Sequence, residues 1–146
     1  MRIVDANVLL YAVNSDSDFH EDSRAWLDRA LSGQDRVGFS WIALLAFVRL
    51  STKVGLMPSP LPVRDAMDQV VAWLGAPSAA IAQPTGRHGD LLTSLLVEAG
   101  TGGNLTNDAH LAALAIEHRG TVVSYDTDFA RFSGVSWARP EDLLSR

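Results

Sequence analysis

The chain contains no cysteine, which excludes a disulfide framework and any thiolate metal site. That absence is compatible with a reducing cytoplasm, the expected location. Lysine occurs once, as Lys53, and the eleven arginines are scattered rather than clustered. With a formal charge of −5, the composition disfavours a simple basic nucleic-acid binder, which displaces counterions with lysine and arginine. No apolar run approaches the ~20 residues needed to span a bilayer, so no membrane association is expected. The first residues read as a strand rather than a basic segment followed by an apolar one, so no signal peptide is expected.

What is present fits one ordinary globular domain. The 146 residues are 47% hydrophobic and 20% charged, enough for a real core, and a single domain over 1–146 is the expectation. The opening Arg2-Ile3-Val4-Asp5-Ala6-Asn7-Val8-Leu9-Leu10 places a carboxylate between two apolar runs. A strand turning directly into a helix produces that pattern, with Asp5 at the strand's carboxyl end, the edge where open α/β sheets bind ligands. A charge there costs desolvation unless a cation meets it.

Further helices are expected from Val8 to Val13, from Phe19 to the stop at Gly33, and from Trp41 to Lys53. Others run from Pro62 to Leu74, from Thr85 to Ala99 and from Thr106 to His118. On the helix from Pro62, Val63, Ala66, Met67, Val70, Val71 and Leu74 share one side. Strand candidates are Val37–Ser40, Ala80–Ala82, Thr121–Ser124 and Val135–Trp137, and a turn of helix closes the chain from Pro140 to Leu144. Helices alternating with short apolar strands point to an α/β fold with a parallel sheet covered on both faces. Thr101-Gly102-Gly103-Asn104 lacks the lysine of a P-loop and reads as a turn.

Four acids stand out. Asp5 and Asp126 each follow an apolar strand, and Asp128 comes two residues later. Asp108 lies in the first turn of a helix, on the face of Leu111, Ala112 and Ala115, which must pack inward. Each alone has a plain structural reading: turn, cap, or a carboxylate favoured by the helix dipole by ~0.3–1 kcal/mol. On adjacent parallel strands they would meet at one edge, where carboxylates raise one another's pKa unless a cation is bound. An all-oxygen set favours Mg2+ or Mn2+, and such a site activates water for in-line attack on phosphorus.

The segments VDANVLLYAV, NDAHLAALAIEHRG and TVVSYDTDFARF, in that order, resemble a PIN-domain protein of the VapC type, a toxin ribonuclease of toxin–antitoxin pairs. FSWIALLAFVRLST and VSWARP add to the likeness. The resemblance implies a PIN-like three-layer α/β/α fold with a central parallel sheet of about five strands. It also implies a homodimer, a Mg2+- or Mn2+-dependent endoribonuclease acting on structured RNA such as tRNA, and a small antitoxin. Carried over residue by residue, Asp5, Asp108 and Asp126 become the metal ligands. Asp128 becomes the accessory acid and Asn7 the support of Asp5. The departure is at Ala46, where the family usually has glutamate; one well-bound ion on the remaining acids is the hypothesis.

Two rivals use the same residues. Asp5-Ala6-Asn7-Val8 nearly matches the signature of a haloacid-dehalogenase-type phosphatase, with Asn7 replacing its second aspartate. A non-catalytic RNA- or partner-binding module is the other. Arg49 and Arg87 are candidates to grip RNA. His20 reads as a capping or solvent-facing residue, His88 stands alone in the sequence, and His110 and His118 read as surface residues. Trp26, Trp41, Trp73 and Trp137 sit in apolar patterns and read as core or dimer contacts, Trp41 being the one nearest the site.

Overall fold

The computed structural model describes residues 1–144; Ser145 and Arg146, included in the expected domain, lie outside the described residues. In chain order the elements are β1 (Arg2–Val4), α1 (Ala6–Val13), α2 (His20–Leu31), β2 (Val37–Phe39), α3 (Trp41–Thr52) and α4 (Val63–Leu74). There follow β3 (Ala79–Ile81), α5 (His88–Ala99), α6 (Leu105–Glu117), β4 (Thr121–Val123), β5 (Trp137–Ala138) and α7 (Pro140–Leu144). A 3-10 turn at Thr127–Arg131 joins β4 to β5. The five strands form one parallel sheet in the order β3-β2-β1-β4-β5.

The sheet separates two apolar cores because strand residues alternate between faces. Val4, Val37, Phe39 and Val123 face one core with Val8, Leu9, Trp26, Leu27, Leu44, Phe47, Val70 and Trp73. Ile3 and Val122 face the other, with Leu95, Leu111, Leu114 and Phe129. Helices α1 to α4 therefore cover one side, while α5 and α6 cover the reverse. This is the expected three-layer arrangement. Gly38 is required between Val37 and Phe39, because a Cβ there would run into the side chains of Met1 and Ile3.

Boundaries shift by up to three residues from expectation. Helix α5 begins at His88 rather than Thr85, and β5 occupies Trp137–Ala138 rather than Val135–Trp137. The apolar side expected for α4 is split: Ala66, Val70 and Trp73 are buried, whereas Val63 and Val71 are each 65% exposed. Trp73 packs inward on Phe39 and Phe47; Val71 lies 100° around the helix from buried Val70, and Val63 is the first residue of the helix. Trp41, at the start of α3, is 43% exposed.

Candidate metal-binding active site

The sheet order puts β1 beside β4, so the residues leaving both strands meet at one edge. The amide of Asp5 still follows the ladder, donating to the Val123 carbonyl at 3.0 Å. Asp5 then caps α1, its Oδ1 accepting from the Ala6 amide at 2.7 Å. Its other oxygen accepts from the Ser124 hydroxyl at 2.7 Å. Asn7 stitches the two strand ends together. Its Nδ2 donates to Ser124 Oγ at 3.1 Å and to Asp5 Oδ2 at 3.4 Å, and its Oδ1 accepts from the Tyr125 amide at 3.2 Å.

Ser124 is fully buried and is the residue that sequence reasoning missed. Besides holding Asp5, its oxygen accepts from the Asp126 amide at 2.9 Å, so one hydroxyl orients two acids. The available signal was a lone serine between the apolar strand Thr121-Val122-Val123 and the acidic turn. Asp126 in turn caps the 3-10 turn, accepting from the Asp128 amide at 2.9 Å, and buried Phe129 anchors that turn. Asp108 arrives from α6, whose Leu111, Ala112 and Ala115 are buried as its face requires.

The result is an acidic cluster. Carboxylate oxygens of Asp108, Asp126 and Asp128 lie within 4.8 Å of one another, and all three side chains are half-buried. Asp5, expected from the sequence to be a metal ligand, is not one of these three; its carboxylate accepts from Ser124 and Ala6. Asp128, read from the sequence as accessory, thus stands as close as the others. Burial, followed by the charges of Asp126, Asp5 and Asp128, pushes the Asp108 carboxyl up to about 7. The Asp5 carboxyl is also raised, chiefly by burial, against the opposing bonds from Ser124 and Ala6. Among the described residues, no basic side chain forms an ion pair with any of these four acids. Crowded, half-buried, all-oxygen and without a cationic partner, the set fits a hard divalent cation.

The remaining candidates fall elsewhere. Arg49 and Arg87 are exposed; Arg49 is eight residues along α3 from Trp41, about 12 Å of helix. Among the described residues, no hydrogen bond or ion pair joins either arginine to the acids. His20 opens α2 and contacts the Tyr11 carbonyl through Nδ1 at 2.8 Å, tying α2 to α1. The reading of the other histidines needs correction. His88 is not alone: its Nε2 lies 2.9 Å from His110 Nδ1, and its Nδ1 lies 2.7 Å from Glu117 Oε2. His118 contacts the Gln83 carbonyl at 2.8 Å. Packing of α5 along α6 creates these pairs across 22 and 29 positions, which helical spacing cannot reveal.

A parallel sheet in this order with acids at the ends of β1 and β4 and in the first turn of α6 defines a class. A family model described as the PIN domain matches residues 2–135, and the chain belongs to that family. It is 64% identical to ribonuclease VapC37 of Mycobacterium tuberculosis over 144 residues, 99% of this chain and 100% of that one. The fold is also similar to that of VapC20 of M. tuberculosis, a toxin described as cleaving the sarcin–ricin loop. That match has a TM-score of 0.70 and 17% identity, covering 96% of this chain and 100% of the other. A chain of VapBC2 from Rickettsia felis, solved bound to promoter DNA, matches with a TM-score of 0.67 and 17% identity over 94% of this chain and 97% of that one. At these identities, the structural likenesses show the fold alone.

Proposed function

We propose that this protein is an endoribonuclease that hydrolyses RNA phosphodiester bonds and acts as the toxin of a toxin–antitoxin pair. The observation that carries this reading is the cluster of Asp108, Asp126 and Asp128, without a cationic partner, in a chain so similar to ribonuclease VapC37. Asp108, Asp126 and Asp128, with Asp5 beside them, would hold Mg2+ or Mn2+, which would supply the positive charge that in-line attack of water on phosphorus requires.

The protein's own groups prepare that site. Asp108 must give up a proton held to about pH 7, so it discriminates against an empty, fully ionised cluster. Asp126 holds the Asp128 amide, and Ser124 holds both Asp5 and the Asp126 amide. Asn7 keeps the β1 and β4 ends in register. No side chain is needed as a covalent nucleophile.

The substrate class proposed is structured RNA such as tRNA, with Arg49 and Arg87 as candidate phosphate contacts. A small cognate antitoxin is the proposed partner, in keeping with the VapBC assembly among the structural neighbours. A homodimer is also proposed. Val54, just after α3, and Val63 and Val71 on α4 are between 65% and 84% exposed, which is apolar surface for a second chain to cover. The working location proposed is the cytoplasm; among the described residues, no helix is long and apolar enough to cross a membrane.

The test is incubation of purified protein with total RNA in Mg2+ or Mn2+, followed by sequencing of the new RNA ends. Discrete cleavage that EDTA and Asp126→Asn both abolish is the expected result. Release of phosphate from a small phosphomonoester instead would establish the phosphatase reading. RNA binding without cleavage would establish the non-catalytic module.

A further inference from the structure

Outside the acidic cluster, the most developed polar construction is a chain running Glu117, His88, His110, Ser40. The Glu117 side chain is 0% exposed and that of His88 13%. Glu117 Oε1 accepts from the Thr85 amide at 2.9 Å and from the Thr85 hydroxyl at 2.6 Å, and Oε2 faces His88 Nδ1 at 2.7 Å. Burial pushes this carboxyl up, but the bonds from Thr85 and His88 together outweigh it and hold it below the usual range. An ionised Glu117 can only accept, so His88 Nδ1 donates. In the neutral ring, His88 Nε2 then accepts from His110 Nδ1 at 2.9 Å, and His110 Nε2 accepts from the Ser40 hydroxyl across a long 3.5 Å.

The placement of this chain indicates its use. His110 lies two residues after Asp108 on α6, about 200° around the helix at 3.6 residues per turn. Asp108 therefore faces Asp126 and Asp128 beyond β4, while His110 faces Ser40, the N-cap of α3 at the end of β2, and β2 flanks β1 on the side away from β4. On that side the first turn of α6 is tied through His110 to His88 of α5 and to Ser40 at the α3 N-cap. The chain stands there, anchored through Thr85 to the segment that leaves β3. We propose that Glu117, His88 and His110 form a brace that holds Asp108 in coordinating reach of Asp126 and Asp128. His88 and Glu117 are thus positioning residues of the metal site and touch neither metal nor substrate.

The inference rests on the metal-binding reading of the acids, so its test measures Mn2+ affinity directly, by electron paramagnetic resonance, alongside 15N-detected histidine spectra. Wild-type protein should show a slowly exchanging His88 Nδ1 proton. His88→Ala, and the shape-conserving His110→Phe, should each weaken Mn2+ binding about tenfold, the lower end for groups that orient metal ligands. Glu117→Ala removes the partner of His88 Nδ1 and should weaken Mn2+ binding likewise, and the conservative Glu117→Gln should recover most of that loss. If His110→Phe or a folded His88→Ala binds Mn2+ as tightly as wild type, the brace is overturned. Freely exchanging histidine rings in the wild type overturn it too. Failure of the wild type to bind Mn2+ at all overturns instead the metal reading on which it rests.

Discussion

At Asp108 the balance of forces is set by one missing charge. Burial and the three neighbouring carboxylates hold its proton to about pH 7, and a divalent cation must displace that proton to bind. Asp108→Asn and Asp126→Asn should each cut RNA cleavage by two orders of magnitude or more, roughly the scale of losing one preorganised electrostatic group. Single-turnover assays at saturating Mn2+ would measure this. Ala46, half-buried on α3, is the other decisive position. If it borders the cluster, Ala46→Glu should raise Mn2+ affinity and alter the cleavage rate, read by calorimetry and by cleavage assays. An unchanged affinity and rate would show that the position lies outside the site.

Among the elements, the join between α6 and β4 shows how closely backbone geometry governs the site. Gly120 sits where a Cβ would collide with the Met1 carbonyl, and that carbonyl accepts from the Thr121 amide at 3.0 Å to start the β1–β4 pairing. Gly120→Ala should therefore destabilise the fold by about 1–3 kcal/mol, the usual cost of overpacking, measured by urea unfolding. Because β1 and β4 carry Asp5 and Asp126, the same variant should also weaken Mn2+ binding. Val71 of α4, exposed beside buried Val70, shows that an apolar residue's burial depends on its angle around the helix.

For the molecule as a whole, the acidic cluster links stability to pH and to metal. The folded-state value of Asp108 is raised, to about 7, above the unfolded carboxylate value of 3.8. Between those values the folded state holds a proton that the unfolded state has lost. Without metal, stability should therefore fall as pH rises from about 4 to 7 and level off above. Divalent cation reverses the sign of the effect, since it binds the ionised form. Thermal unfolding should show the metal-free midpoint dropping from pH 5 to pH 8, and a Mn2+-induced rise that is larger at pH 8. A midpoint that is flat with pH, or Mn2+ protection greatest at pH 5, would contradict this electrostatic account.

Much of this was legible in residue order. Alternating apolar strands and helices specify a parallel α/β sheet, since each strand buries both faces and each helix one stripe. The acids declared themselves by position: Asp5 and Asp126 directly after strands, and Asp108 three, four and seven residues before buried partners. Local sequence carries these facts because period and turn chemistry act over a few residues. Other features exist only through long-range packing. Ser124 became the hinge of two acids only when β1 lay beside β4, 119 positions away from Asp5. His88 found Glu117 and His110 only when α5 packed on α6. Hydrogen bonds and carboxylate repulsion depend on distances of a few ångströms, and those distances are set by strand order and helix packing, which no short-range pattern encodes.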